Sequence, residues 1–143
     1  MDFIKEDSAG YLINHMARLF ARELQLGIAP LGIVVGQFPI LLELWQKDGV
    51  SQKKLLENID VEQATLANTL NRMERDGLIK RTKSQADARV QLIWLTDKAT
   101  AIKDQAFDVA FDVNSRALQD ITLQEREIFM GVMRRIIDEL RYR

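Results

Sequence analysis

Apolar residues recur at intervals of three and four over positions 8–26. Leu12, Met16, Leu19, Phe20 and Leu24 share one side of a helix that Ser8 can cap and Gly27 can stop. The stretch GIAPLGIVVG that follows reads as a loop by its Gly and Pro content. A second helix is predicted from about Gln37 to Lys47. Pro39 fits only its first turn, where the missing N–H costs little, and Asp48-Gly49 ends it. SQKKLLENID begins at a Ser cap and turns Leu55, Leu56 and Ile59 inward. Asp60 and Gln63 then have the spacing of a capping box for a further helix, VEQATLANTLNRMERDG, which Gly77 closes.

After Gly77 the period changes from near 3.6 to 2. LIKRT and VQLIWLT read as two short strands, with Ile93 and Leu95 on one face and Leu92 and Trp94 on the other. The polar tip KSQADAR lies between them. Thr96 caps a long helix in which Ala99, Ile102, Ala106, Val109 and Val113 line one side. A last helix from about Leu123 repeats Phe129, Val132, Ile136 and Leu140. The fold class is therefore mainly α with a small two-stranded β wing, in the order helix, helix, helix-turn-helix, wing, long helix, helix. Such an arrangement puts one helix into the major groove of DNA and a hairpin beside it.

The second helix of the motif has an unusual outer face. Leu66, Leu70 and Met73 share the inner stripe, and the opposite arc collects Thr65, Asn68, Thr69, Asn71, Arg72 and Arg75. A merely solvated face favours Glu and Lys, which form helices better than Thr or Asn. Thr, Asn and Arg are instead the side chains that meet base edges and phosphates. Ser51, Gln52 and Lys53 stand at the start of the first motif helix, where helix N-termini attract phosphate; simple capping explains them equally well.

Charge and composition narrow the function further. The whole chain carries a formal charge of −1, yet residues 45–96 hold nine basic and seven acidic side chains, and residues 72–89 six and three. The excess is modest and lies where a DNA surface needs it. With no cysteine and one histidine, a disulfide framework, a thiol nucleophile and a thiolate zinc site are excluded. No nucleotide-binding loop or paired acid–base constellation stands out, so no enzyme and no cofactor is expected. No run reaches the ~18 apolar residues of a membrane span, and MDFIKEDSAG is acidic where a signal peptide is basic; a cytoplasmic protein without membrane contact is expected.

GQFPILLEL, ATLANTLNRMERDGLIKR and DARVQLIWLT together resemble the MarR family of bacterial winged-helix transcription factors over nearly the whole chain. The wing stretch follows the family's Asp-x-Arg and terminal Leu-Thr at Asp87, Arg89, Leu95 and Thr96, and Met73–Arg81 is similar to its helix-to-wing junction. The tip departs from the family in having Ala86, Ala88 and Val90 where a second Arg or Asp is usual, and Ala99 replaces a common Gly.

The resemblance implies a single domain over 1–143. Residues 1–30 and 117–143 would form dimerisation helices, 34–95 the winged helix-turn-helix and 96–116 the connecting long helix. It implies a homodimeric repressor on palindromic double-stranded DNA, released by a small aromatic or phenolic effector. Arg89 would reach a minor groove with Asp87 holding its guanidinium, and Lys83 lies in the same tip. A surface Asp–Arg pair that only stabilises a hairpin is the alternative, worth ~0–1 kcal/mol. His15 and Trp94 are candidates for a ligand pocket, against plain packing for both, and Trp45 is read as core. An alternative to the regulator is a winged-helix module that binds a protein partner without significant DNA affinity.

Overall fold

The computed structural model describes residues 1–142. Helix α1 (Ala9–Ile28) starts where Ser8 Oγ accepts the Tyr11 N–H, as expected from the sequence. It does not stop at Gly27. That glycine is a packing position: a Cβ there would stand 2.3 Å from Val109 Cγ1. The chain turns later, through 93° about Gly32, whose φ of +81° suits glycine. A 3-10 turn, Val35–Gln37, leads into α2 (Phe38–Gln46), one residue later than the predicted start, with Pro39 in the first turn.

Next come β1 (Val50–Ser51), α3 (Gln52–Ile59) and α4 (Gln63–Arg75). Ser51 caps α3, accepting the Lys54 N–H at 3.1 Å. The capping box expected at Asp60 and Gln63 is not formed. Asp60 instead ends α3 in the left-handed region at φ 57°, which Asp tolerates better than most residues, and Glu62 precedes α4 without a side-chain cap. Strands β2 (Ile79–Lys83) and β3 (Gln91–Leu95) pair antiparallel from Ile79↔Leu95 to Lys83↔Gln91.

The predicted two-stranded wing is a three-stranded sheet, in the order β1-β3-β2. Val50 pairs with Ile93 and Ser51 with Leu92. The Gly49 N–H donates to the Ile93 carbonyl at 2.7 Å, and the Leu95 N–H donates to Asp48 Oδ2 at 3.0 Å. The root of the wing is thereby tied to the start of α3.

The long helix expected after Thr96 is also broken, into α5 (Asp97–Ala101) and α6 (Lys103–Ala117), at Ile102. Thr96 caps α5 as expected, accepting the Ala99 N–H at 3.2 Å. The break frees the Ala99 carbonyl, which in a continuous helix would accept the N–H of residue 103. Here the Trp45 indole N–H donates to it at 3.1 Å, from within the core. The final helix, α7 (Leu123–Arg141), begins with a capping box between Thr122 and Glu125.

The core is confined to the winged lobe and the parts of α1 and α6 that touch it. Leu41, Leu44, Leu55, Leu66, Leu70, Met73, Leu78 and Ile93 are buried there, with Trp45 edge-on to Phe38 and Phe107. The rest of α1 and all of α7 contribute little to it: Ile28 is the buried residue of α1, and α7 has none among the described residues. Leu12, Met16, Leu19, Ile128, Ile136, Ile137 and Leu140 stand exposed on these helices.

Candidate nucleic-acid interface

Leu66, Leu70 and Met73 anchor α4 at no measurable exposure, so the helix cannot rotate without tearing the core open. Its outer arc then faces away from the lobe. Thr65, Asn68, Asn71 and Arg72 are exposed and Thr69 is half-buried. The Thr69 hydroxyl donates to the Thr65 carbonyl at 2.8 Å, which leaves its oxygen lone pairs outward. Arg75 is turned onto Asp76 Oδ1 at 3.2 Å at the helix end.

The wing tip is closed by local hydrogen bonds. Ser84 N–H donates to the Val90 carbonyl at 2.8 Å, and Val90 N–H to the Asp87 carbonyl at 2.9 Å. Asp87 does more than close the turn. Its Oδ1 accepts the Arg89 backbone N–H at 3.0 Å and Nε at 3.1 Å, while Oδ2 accepts Nη2 at 3.2 Å. These bonds, the side-chain one first, hold the Asp87 carboxyl below its usual range. The Arg89 side chain is 90% exposed despite the grip. A guanidinium has five N–H donors, and this pairing uses two, so three remain for an external acceptor.

Ser51, Gln52 and Lys53 line one side of a groove of about 410 Å³, and Lys83, Ala88, Arg89, Val90 and Gln91 line the other. Five of the predicted positions are thus brought together: Ser51, Gln52 and Lys53 at the start of α3, and Lys83 and Arg89 from the wing. Strand β1 does this by joining α3 to the sheet. Lys53 and Lys83 meet no carboxylate in the lining of the groove, and Arg89 is paired with Asp87 just outside it, so the groove keeps a positive excess, a fit for a polyanionic backbone.

His15 and Trp94 are not drawn together. His15 is exposed on α1, edge-on to Tyr11 at 5.9 Å. Trp94 lies across Gly49 on the wing root, its indole N–H donating to Thr82 Oγ1 at 2.8 Å. Neither lines the apolar groove of about 580 Å³ among α1, α6 and α7, which Met16, Phe20, Leu118, Ile121, Ile128 and Phe129 help form. Among the described residues, no group of three His, Cys, Asp or Glu side chains is placed to hold a metal ion. No single helix there is long and apolar enough to cross a membrane.

Sequence reasoning missed the residues that hold the interface in place. Arg81 on β2 donates Nη2 to Asn71 Oδ1 at 2.7 Å. Gln37, at 3% exposure, donates Nε2 to Asp76 Oδ2 at 3.2 Å, and Lys98 Nζ donates to the Asp76 carbonyl at 2.8 Å. On the other side Gln25 Oε1 accepts the Val35 N–H at 2.8 Å. A polar path therefore runs from α1 through the start of α2 to the end of α4. A Gln amid the apolar stretch around FPILL was the available signal for Gln37; Arg81 closes the helix-to-wing junction motif, but nothing in the local pattern gave it a partner.

Comparison with known proteins gives a consistent result. The model of the MarR family matches residues 34–90. The transcriptional regulator HosA of Escherichia coli O127:H6 is 30% identical over 102 residues, which are 71% of this chain and 76% of that protein. A mutant of MarR from E. coli, solved in complex with operator DNA, superposes with a TM-score of 0.87 at 22% identity, covering 96% of this chain and 99% of the other. CouR from Rhodococcus jostii RHA1, solved bound to p-coumaroyl-CoA, gives a TM-score of 0.80 at 18% identity, covering 99% and 96%. At these identities the two structures establish likeness of fold.

Proposed function

This chain belongs to the MarR family of transcriptional regulators, and from that membership we propose that it is a homodimeric repressor bound to palindromic double-stranded DNA and released by a small effector. It is a regulator and not an enzyme, so its work is recognition. Residues 34–95 form the reading head. Helix α4 enters a major groove, with Thr65, Asn68, Thr69, Asn71 and Arg72 toward bases and phosphates. Ser51, Gln52, Lys53 and Lys83 meet the sugar-phosphate backbone. Arg89, aimed by Asp87, enters the neighbouring minor groove, where a narrow, negative channel suits a guanidinium. Its place of action is the bacterial cytoplasm, on the DNA.

The observation that carries this reading is the exposed, pre-oriented Arg89 standing over the cationic groove at the start of α3. An exposed Asp–Arg pair contributes only ~0–1 kcal/mol to a hairpin, so stability alone accounts for little of the arrangement. Orienting the side chain beforehand lowers the entropy lost on binding.

Residues 1–30 and 117–143 supply the dimer layer, and 96–116 connect it to the head. What supports this is the exposure of Leu12, Met16, Leu19, Ile136, Ile137 and Leu140, more apolar surface than a monomer ordinarily leaves to water. Two copies joined there present two α4 helices to one face of a duplex, hence the palindrome. The effector is a small aromatic or phenolic molecule. The groove among α1, α6 and α7 is apolar enough to receive one, and its walls belong to the dimer layer. Such a ligand changes DNA affinity only by binding one spacing of the two heads better than the other.

Selection of bound fragments from random duplex DNA tests the proposal, with Arg89→Ala and an Asn68→Ala, Arg72→Ala double variant alongside. A palindromic consensus, weakened by Arg89→Ala and lost in the double variant, is expected. No enrichment at low salt would instead favour a protein-binding winged module, a reading supported by the near-neutral formal charge of −1.

A further inference from the structure

Of the outward side chains on α4, Asn71 is set apart because one end of its amide is already committed. Arg81 Nη2 lies 2.7 Å from Asn71 Oδ1. A guanidinium carries donors only, so the end of the amide that faces it has to be the oxygen; the flipped amide would set N–H against N–H. Arg81 cannot swing away to release it. Its backbone is paired with Ile93 in the sheet, its side chain is 16% exposed, and its Nε lies 3.8 Å from Glu74 Oε2. The sheet fixes Arg81, and Arg81 fixes the Asn71 rotamer.

The consequence is chemical. With Oδ1 drawn toward the wing, the two N–H groups of Nδ2 form the outward end of the amide. The familiar asparagine–adenine pair needs both ends at once, the oxygen accepting from N6 while the nitrogen donates to N7. Asn71 offers chiefly the donor half, because its oxygen already spends one of its two lone pairs on Arg81 and is turned to that side. Guanine presents two acceptors, O6 and N7, and thymine one, O4, to such an amide, whereas adenine sets its N6 donor beside N7, against a second N–H.

We propose that Arg81 is a specificity-determining residue that acts through Asn71: by holding Oδ1 it makes Asn71 a reader that donates, favouring guanine or thymine at its contact and removing the bidentate preference for adenine, whose N7 can accept only one N–H. The proposal rests on the reading that α4 enters the major groove, and it adds a positioning residue that touches no DNA itself. It also divides the labour on the helix. Asn68 lies three residues earlier on the arc, outside the Arg81 contact, and keeps both ends of its amide for an adenine.

Fragment selection with variant proteins tests it, because a purely structural role for Arg81 would weaken binding to every sequence alike. In the wild-type consensus, one symmetry-related pair of positions should prefer guanine or thymine about five- to ten-fold, the scale of one good hydrogen bond. Asn71→Ala should flatten those positions. Arg81→Met, which keeps the bulk and removes the donors, should admit adenine there and leave other positions as they were; placed on Asn71→Ala, it should change nothing further. Asn71→Asp keeps the partnership with Arg81 and presents an acceptor outward, so it should switch the preference to cytosine or adenine even if Arg81→Met folds poorly. An adenine at the Asn71-dependent position of the wild type would overturn the proposal. So would an Asn71→Ala variant that loses affinity uniformly with no change in consensus. Failure of the wild type to enrich any sequence would overturn the DNA-binding reading itself, and this inference with it.

Discussion

Gln37 donates its amide N–H to the Asp76 carboxylate across 3.2 Å, joining the turn that begins α2 to the residue that ends α4. Both ends of this buried amide are in use, since Gln37 Oε1 also accepts the Val34 N–H at 3.1 Å. Replacing Gln37 with Leu keeps the volume and strands the Val34 donor. The expected cost is about 1–3 kcal/mol in urea unfolding, with an unchanged denaturant slope. A loss below about 0.5 kcal/mol would show that water replaces the amide at no net expense.

Acid should destabilise the fold, and only at low pH. Asp76 is held below its ordinary 3.8 by the bond from Gln37 and then by Arg75, and Glu23 below 4.5 by Arg116 and then Arg22. Asp87 is lowered in the same direction by Arg89. A carboxyl whose folded pKa is depressed contributes stability that is complete above its unfolded value. That contribution is lost as pH falls through the folded value. Midpoints of urea unfolding should therefore stay level down to about pH 5 and fall below about pH 4, and Asp76→Asn should shallow the decline. A fall already under way near pH 6 would point to a different group.

Arg89→Ala should separate stability from binding. The side chain is 90% exposed and its partner is local, so the melting temperature should move by no more than a few degrees. Operator affinity should drop, and the slope of log K against log salt should shrink by about one if the guanidinium meets a phosphate on its way into the groove. Equal losses of stability and binding would return Arg89 to a structural role.

Gly27→Ala tests the contact between α1 and α6. Alanine favours a helix over glycine by about 1 kcal/mol. Here its Cβ would sit 2.3 Å from Val109 Cγ1, on a branched side chain with little freedom to move aside. Overpacking of this kind costs about 1–3 kcal/mol, so the variant should be no more stable than the parent and is expected to be less so. A gain in thermal stability would mean that the two helices part easily.

Ending the chain after Arg116 removes α7 and with it the exposed Ile128, Ile136, Ile137 and Leu140. Sedimentation should then show a monomer. A stable dimer would take the last helix out of the interface.

Much of this protein follows from local pattern. The inner stripe of α4, the caps at Ser8, Ser51 and Thr96, and the alternation in β3 depend on side chains within a turn or two of one another, and all are where the sequence puts them. Outcomes set by distant partners could not be read in this way. Two residues are too few to show a period, so β1 exists only because β3 lies ready to pair with it. Gly27 looks like a stop until Val109, far along the chain, explains why nothing larger fits. The uninterrupted stripe after Thr96 conceals a break that Trp45 makes tolerable by taking the Ala99 carbonyl. The same holds for the interface. Residue type and helical spacing sufficed to choose Asn68, Asn71 and Arg72, because a helix face is a local property. Which end of the Asn71 amide looks outward depends on Arg81, ten residues away on another element, and only the packing of sheet against helix brings that donor within reach.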